Sequence, residues 1–139
     1  MKTPPTRTTY LIKRAETVVR SGLEACLQPL DVTPRQYITL SLLRDDRDQS
    51  SADLARKAGI TPQSMSETIA ALIRKQWIER LENPGHRRIL MTRLTPTGEA
   101  LLAECENAVD AMETRLLSGL ANSDLSALRQ ALRAIVKAG

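Results

Sequence analysis

Signals for the start of a helix divide this chain into short segments, and they limit its fold more than any other sequence feature. Thr33-Pro34, Thr61-Pro62 and Thr95-Pro96 each place a capping hydroxyl before a proline that suits the first turn of a helix. Gln36 follows the first pair at the spacing of a capping box. Helices are therefore expected to begin near residues 34, 62 and 96, and the first of them to run to the charged turn 44–48.

Other helices are predicted from glycine, proline and the spacing of apolar residues. Ser50 and Ser51 precede a short helix that Gly59 ends in a left-handed cap. Residues 9–27 form a helix that Pro29 ends. Apolar residues three or four apart predict two more helices after residue 96, separated by a break at 119–122. They are Leu102, Cys105, Val109, Met112, Leu116 and Leu120, then Leu125, Leu128, Leu132 and Ile135.

Residues 79–94 leave the helical pattern. Two short strands, 79–82 and 89–94, flank the turn signal Asn83-Pro84-Gly85. The chain then consists of four helices, a two-stranded ribbon and two helices. The predicted fold class is mainly α with a two-stranded β wing, a winged helix-turn-helix plus terminal dimerisation helices. Residues 1–32 would be the N-terminal helix of the dimer layer, 33–95 the DNA-binding domain and 96–139 the C-terminal dimerisation helices.

Composition excludes several classes of function. With 139 residues, 42% of them hydrophobic, the chain is expected to be one soluble domain with a sufficient core. Cys26, Cys105 and the single His86 match no zinc spacing, so neither a metal nor a cofactor is expected. No Ser/His/Asp constellation or phosphate-binding glycine loop indicates an enzyme. No apolar run is long enough for a membrane span, and a cytoplasmic location is expected.

Charge is distributed unevenly along the chain, whose formal net charge is +4. Between residues 50 and 95 basic side chains outnumber acidic ones, whereas residues 96–125 hold Arg115 against six carboxylates. A basic middle segment is typical of a surface that meets a polyanion. The acidic segment would keep nucleic acid away from the dimer layer.

The helix that starts at Thr61-Pro62 is the predicted reading helix for double-stranded DNA. It buries Met65, Ile69, Leu72 and Ile73, so its polar side can reach base edges in the major groove. Basic residues at the hairpin tip would contact the neighbouring minor groove or its phosphates. The candidate DNA-binding residues are Thr61, Gln63, Ser64, Ser66, Glu67, Thr68 and Arg74 on the helix, Ser51 on the helix before it, and His86, Arg87 and Arg88 in the wing.

At this point the chain resembles the MarR family of bacterial transcription regulators over nearly its whole length. The residues that carry the resemblance are Leu30 to Tyr37, Ser51 to Ala55, Gln63 to Leu72, and Asn83 to Arg88 followed by Arg93 to Gly98. The resemblance implies a homodimer with interleaved first, fifth and sixth helices, acting on a pseudo-palindromic operator. It also implies a crevice between the dimer layer and the DNA-binding layer. A ligand-responsive repressor is therefore expected, with a small aromatic or anionic effector.

The chain departs from the family pattern at two positions. The family wing usually has Asp two residues before Arg, whereas this chain has His86 before Arg88, so an ion pair that braces the hairpin is lost or changed. The family reading helix usually ends in Gly, and here Gln76 stands at that place. A residue with a side chain costs about 1 kcal/mol in left-handed geometry, which favours a different exit from the helix.

Several residues have a structural interpretation beside the functional one. Glu67 would either accept a hydrogen bond from cytosine or pair with Arg74 or Arg56. Tyr37 would line the family crevice and touch a ligand, or pack in the core with a tethered hydroxyl. Cys26 and Cys105 lie on apolar faces, where cysteine normally packs as a small hydrophobe and not as an oxidation sensor. Trp77 is interpreted as a core residue that joins the reading helix to the wing.

One rival hypothesis concerns the whole chain. A winged-helix domain can serve as a protein-interaction module that no longer binds DNA. Such modules normally lose the basic residues of the wing and reading helix. Arg74, Lys75, Arg87 and Arg88 speak against that alternative.

Overall fold

Side-chain caps begin four of the helices where the sequence predicts them. In the computed structural model, which describes residues 6–82, 85 and 89–139, Thr33 Oγ1 accepts from the Gln36 amide while Gln36 Oε1 accepts from the Thr33 amide. Ser50 and Asp53 form the same reciprocal pair. Thr61 and Thr95 each accept a backbone N–H three residues ahead. The predicted capping box is confirmed, and local chemistry fixes these helix starts.

The described residues form six α-helices, one 3-10 turn and three short strands. The turn at Gln28–Leu30 takes in Pro29 directly after the first helix. The helices are α1 Thr8–Leu27, α2 Pro34–Asp45, α3 Ser51–Ala58, α4 Pro62–Arg74, α5 Pro96–Leu116 and α6 Asn122–Ala138, and the strands are β1 Gln49–Ser50, β2 Ile78–Leu81 and β3 Met91–Leu94. The predicted order of helices and ribbon is confirmed.

The ribbon has a third strand that the sequence did not predict. β1 pairs antiparallel with β3 through Gln49 opposite Thr92 and Ser50 opposite Met91, giving the strand order β1-β3-β2. Two residues are too few to show the alternation by which a strand is recognised in a sequence. The extra strand ties the start of α3 to the wing.

The core lies around α2, which contacts α3, α4, α5 and β3. Leu40, Leu43, Leu54 and Leu72 are fully or almost fully buried there. Ile38 on the same helix is 43% exposed, whereas the polar Thr39 is fully buried. The Thr39 hydroxyl is satisfied by donating to the Arg35 carbonyl at 2.9 Å. A central α2 thus connects the reading helix with α5.

The terminal helices leave wide apolar faces uncovered. No residue of α6 is buried, and Leu128 and Leu132 are 39% and 41% exposed. Val18 and Val19 of α1 and Leu116 at the end of α5 are exposed as well. Exposed apolar surface of this extent is typical of a protein–protein interface. Within the described part of the chain, no helix is both long and apolar enough to cross a membrane.

Candidate nucleic-acid interface

The turn between α3 and α4 sets the direction of α4. Gly59 has φ 68°, a left-handed conformation that suits glycine, and the next amide, of Ile60, donates to the Ala55 carbonyl at 3.1 Å. Leu54 of α3 and Met65 of α4 are both fully buried, and α3 packs closely on α4. The apolar side of α4 is therefore fixed to the core, and its opposite side faces away from it.

The outward side of α4 carries four of the predicted DNA-binding residues. Gln63, Ser66, Glu67 and Arg74 are exposed, and their spacing places them on one face of the helix. Thr61 is exposed at the N-cap, and its hydroxyl donates to Ser64 Oγ at 2.9 Å. Ser64 is half-buried, so it lies at the edge of this face. Polar groups of this kind, on a helix that fits a major groove, can form hydrogen bonds with base edges.

Thr68 does not belong to that face, and its prediction as a base-reading residue is wrong. Its side chain is almost completely buried, with 8% of its surface exposed, next to Ile69 and Leu72. The hydroxyl donates to the Ser64 carbonyl at 2.9 Å. A threonine can satisfy its hydroxyl on the preceding turn and pack its methyl group inward, which sequence polarity alone does not reveal.

Lys75 is likewise turned towards the protein. Its ammonium group lies 3.4 Å from the Asp31 carboxylate, 3.3 Å from Gln36 Oε1 and 4.6 Å from the centre of the Trp77 ring. Only 26% of the side chain is exposed. Lys75 therefore stabilises the end of α4 and is not one of the free cations that the sequence counted on the DNA-binding surface.

Arg74 at the end of α4 and Arg80 on β2 provide exposed positive charge. Neither forms an ion pair with another described residue. Arg80, on β2, lines a groove with Ser51 and Ser66, two residues that the sequence did single out. Arg80 itself was missed, although its place in the basic segment 50–95 was a signal for it. These side chains suit a phosphate backbone lying between α4 and the wing.

Glu67 keeps its carboxylate exposed. Within the described ranges it pairs with neither Arg74 nor Arg56; Arg56 bonds Asp53 instead, at 2.7 Å. Hydrogen bonding with the Ser50 hydroxyl, followed by that with the Ser50 amide and with Arg56, lowers the pKa of Asp53. The ion-pair interpretation of Glu67 is wrong for these partners, and contact with a base stays a prediction.

The wing predictions rest on residues that the structure does not describe. His86, Arg87 and Arg88 lie outside the described residues. Their assignment as DNA contacts stays a prediction from the sequence. The loss or change of the bracing ion pair at His86 therefore stays a prediction as well. Arg93, further along the same strand segment, pairs with Glu79 across the ribbon at 2.7 Å.

The exit of α4 keeps left-handed geometry despite the missing glycine. Gln76 has φ 62°, so the chain turns as a glycine would at some cost in backbone energy. Trp77 then packs against the buried core, and its carbonyl accepts from the Thr95 amide at 3.0 Å. The interpretation of Trp77 as a residue that joins α4 to the wing is confirmed.

Tyr37 has the tethered hydroxyl of its structural interpretation, while its contact with a ligand stays a prediction. Its hydroxyl is tethered to Glu106 Oε1 at 3.0 Å, and its ring lines an apolar groove between α1, α5 and α6. Arg44 donates to the same carboxylate oxygen at 2.6 Å. Burial, followed by the hydrogen bond and charge of Glu106, raises the pKa of Tyr37 to about 12.

A pH dependence follows from this shift in the Tyr37 pKa. The folded state holds the phenolic proton more tightly than the unfolded state, in which the pKa is near 10. The resulting stability is complete below pH 10 and is lost as the pH rises towards 12. We expect the free energy of unfolding of Tyr37→Phe, measured by urea titration from pH 8.5 to 11.5, to fall less steeply than that of the wild type. Parallel curves for the two proteins would contradict this tether.

Both cysteines behave as packing residues. Cys105 is fully buried, and burial, followed by the charges of Glu104 and Glu106, raises its pKa to about 11. Burial also raises the pKa of the half-buried Cys26. A thiol that resists ionisation is a poor oxidation sensor, which favours the packing interpretation. Within the described part of the chain, no group of three or more His, Cys, Asp or Glu side chains is arranged to hold a metal.

The chain is similar in sequence to known proteins of one family. A model of the MarR family matches residues 30–89. The HTH-type transcriptional repressor Rv2887 of Mycobacterium tuberculosis (strain ATCC 25618 / H37Rv) is 34% identical over 111 residues, which are 80% of each chain.

Two solved structures extend the similarity to the fold and its complexes. The transcriptional repressor CouR, bound to a 23-mer DNA duplex, superimposes with a TM-score of 0.88 at 28% identity, covering 94% of this chain and 92% of CouR. The Mycobacterium tuberculosis MarR family protein Rv2887, in complex with p-aminosalicylic acid, gives a TM-score of 0.78 at 30% identity, with 94% of this chain and 98% of that one covered.

Proposed function

The chain belongs to the MarR family, and from that premise we propose that it is a transcription repressor which binds a specific double-stranded DNA sequence as a homodimer. The observation that carries the proposal is the outward face of α4. Gln63, Ser66 and Glu67 are held away from the core by a helix whose other side is buried. Side chains on a fixed helix can be matched to one sequence of base edges.

Phosphate contacts would supply most of the affinity. Arg74 and Arg80 are exposed beside that face, and Arg87 and Arg88 are predicted to join them from the wing. Each phosphate that a cation neutralises releases counterions, so binding should weaken steeply as salt is raised. The recognition helix would supply specificity, and the arginines the affinity common to all sequences.

The proposed homodimer forms through the uncovered apolar faces of α1, α5 and α6. Apolar faces of this extent are unfavourable when they are exposed to solvent, and a second copy of the chain would cover them. Under this proposal, residues 1–32 and 96–139 form the dimer layer and residues 33–95 the DNA-binding domain. Two α4 helices about 34 Å apart would meet successive major grooves, which requires a pseudo-palindromic operator.

A small aromatic or anionic molecule is proposed as the effector. Support comes from Rv2887, whose complex with p-aminosalicylic acid is known. A ligand seated between the dimer helices and the DNA-binding domain would change the separation of the two α4 helices. It can release DNA only to the extent that it binds one separation more tightly than the other.

Selection of bound duplexes from a random pool tests the function. We expect enrichment of an inverted repeat whose half-sites are about 10 base pairs apart. A protein-interaction module would enrich no sequence and would ignore duplex DNA even in dilute buffer. Either of those two results would refute the proposal.

We expect Gln63→Ala to change which base is selected at one position of each half-site. A good side-chain contact to a base is worth about 1–3 kcal/mol of discrimination. Thr68→Ala is the matched control on the same helix, since this buried residue should affect stability and leave the selected sequence as it was. A changed preference in Thr68→Ala, with none in Gln63→Ala, would reverse the assignment of the reading face.

A further inference from the structure

A single carboxylate connects the DNA-binding domain to the long helix α5. Glu106 Oε1 accepts from Tyr37 Oη at 3.0 Å and from Arg44 Nη1 at 2.6 Å. Tyr37 and Arg44 are seven residues apart on α2, so their Cα atoms lie about 10 Å apart along the helix axis. The two side chains come from different turns of α2 and converge on one carboxylate oxygen, so together they fix the position of Glu106 along α2.

The N-terminal end of α5 is fixed at a second place. The Thr95 amide donates to the Trp77 carbonyl at 3.0 Å, and the Thr95 hydroxyl donates to the Gln76 carbonyl at 2.6 Å. Gly98 lies so close to the Trp77 carbonyl that a Cβ atom would be 1.9 Å from it. The start of α5 therefore acts as a pivot on the exit of α4, and Glu106 is a second polar attachment further along α5.

α2 is a rigid base for this second attachment. Its N-terminus is closed by the capping box of Thr33 and Gln36, and Gln36 Oε1 also accepts from the Lys75 ammonium group at the end of α4, at 3.3 Å. At the other end, the buried Gln49 amide donates to the Leu42 carbonyl at 2.7 Å and also to the Asp46 carbonyl, while Lys57 donates to Gln49 Oε1 at 2.8 Å. Because both ends of α2 are tied to the DNA-binding domain, a change at Glu106 is transmitted to that domain as a whole.

We propose that Glu106 is a positioning residue that sets the spacing between the two half-sites the protein accepts. The inference rests on the proposed function and deepens it, since α5 carries the dimer layer and α4 the reading face. The angle between α5 and the DNA-binding domain then determines how far apart the two α4 helices stand. Glu106 fixes that angle without touching DNA.

The size of the effect can be estimated from helix geometry. Glu106 lies eight residues beyond Gly98, about 12 Å along the helix, so a 1 Å slip at Glu106 rotates α5 by about 5°. Over the roughly 27 Å from Gly98 to Leu116 that rotation becomes about 2 Å. With both protomers contributing, the separation of the two α4 helices then changes by about 4 to 5 Å, which exceeds the roughly 3.4 Å rise of one base pair. Without this attachment, the change in separation is large enough for the protein to accept half-sites one base pair closer or further apart.

The test compares operators whose half-sites are moved one base pair closer or further apart. The wild-type protein is measured first by fluorescence anisotropy on the selected inverted repeat, and failure to bind it would overturn the proposed function itself. With binding established, we expect the wild type to lose at least tenfold in affinity per base pair of altered spacing. Glu106→Ala should lose about threefold or less, with affinity for the original spacing within a fewfold of wild type.

Two further variants separate positioning from simple structural damage. Tyr37→Phe removes one donor and leaves Arg44, so it should relax the spacing preference part of the way. Glu104→Ala is the matched control, because Glu104 is an exposed carboxylate on the same helix, two residues away, without a hydrogen bond in the described part of the chain. It should discriminate between spacings as the wild type does. Unchanged spacing discrimination in Glu106→Ala, or an equal loss of affinity for every spacing with a lowered Tm, would overturn the inference.

Discussion

Gly98→Ala is expected to destabilise the protein by about 3 kcal/mol or more, at the upper end of the range for overpacked interiors. The added Cβ would lie 1.9 Å from the Trp77 carbonyl oxygen and 2.8 Å from its carbon, and both are backbone atoms. Trp77 cannot withdraw easily, because its amide donates to Leu72 and its carbonyl accepts from Thr95. The start of α5 would have to separate from the exit of α4.

Thermal unfolding measures this effect. For a chain of this length, about 3 kcal/mol corresponds to a fall in Tm of about 10 °C. Gly119→Ala is the matched control, because no atom of the described residues, its two chain neighbours aside, lies within 4 Å of the Cβ it would add. We expect that variant to unfold within about 0.5 kcal/mol of wild type, as surface changes usually do. A Gly98→Ala protein as stable as the control would show that α5 does not pack on Trp77 this closely.

The second large effect is expected from charges placed on α6. Leu128 and Leu132 are exposed in the single chain, so changing both to Asp should leave the fold of each protomer intact. In the proposed dimer the two carboxylates would be buried in an apolar interface, where an unpaired charge is very unfavourable. The double variant should sediment as a single chain at micromolar concentration. Its affinity for the inverted repeat should fall at least a hundredfold, because bivalent binding is lost.

A control on the same helix isolates the position of the new charges. Ser126 and Gln130 have the same spacing and are exposed, but they lie on the polar side of α6. Changing both to Asp adds the same charge and should leave a dimer that binds the repeat. If the Leu128/Leu132 variant remained a dimer, the apolar faces would not be the contact between protomers.

The parts of the fold that depend on local chemistry could be predicted from the sequence. A hydroxyl before a proline, with Gln36 three residues on, caps a helix in almost any surroundings, and these starts were found where expected. The same holds for Gly59, because its left-handed turn depends on its own backbone. Helix order and the presence of a wing followed from such signals.

What could not be predicted depends on neighbours that are distant in the sequence. Thr68 looks like its exposed neighbours by polarity, and only the packing of α3 on α4 shows that it is buried. Lys75 looks like a free cation until Asp31 and Trp77 are brought beside it. Glu106 is one of several carboxylates on α5, and its two partners lie more than 60 residues away on α2. No spacing rule within one helix points to such a residue.

The uncovered faces of α1 and α6 also bear on how strongly the protein responds to its own abundance in a cell. Where most chains are still single, the amount of paired protein grows with the square of the chain concentration, and its stability depends on that concentration too. Doubling synthesis would then raise the paired form about fourfold. Gene dosage and degradation of the unpaired chain would thus act as controls on operator occupancy.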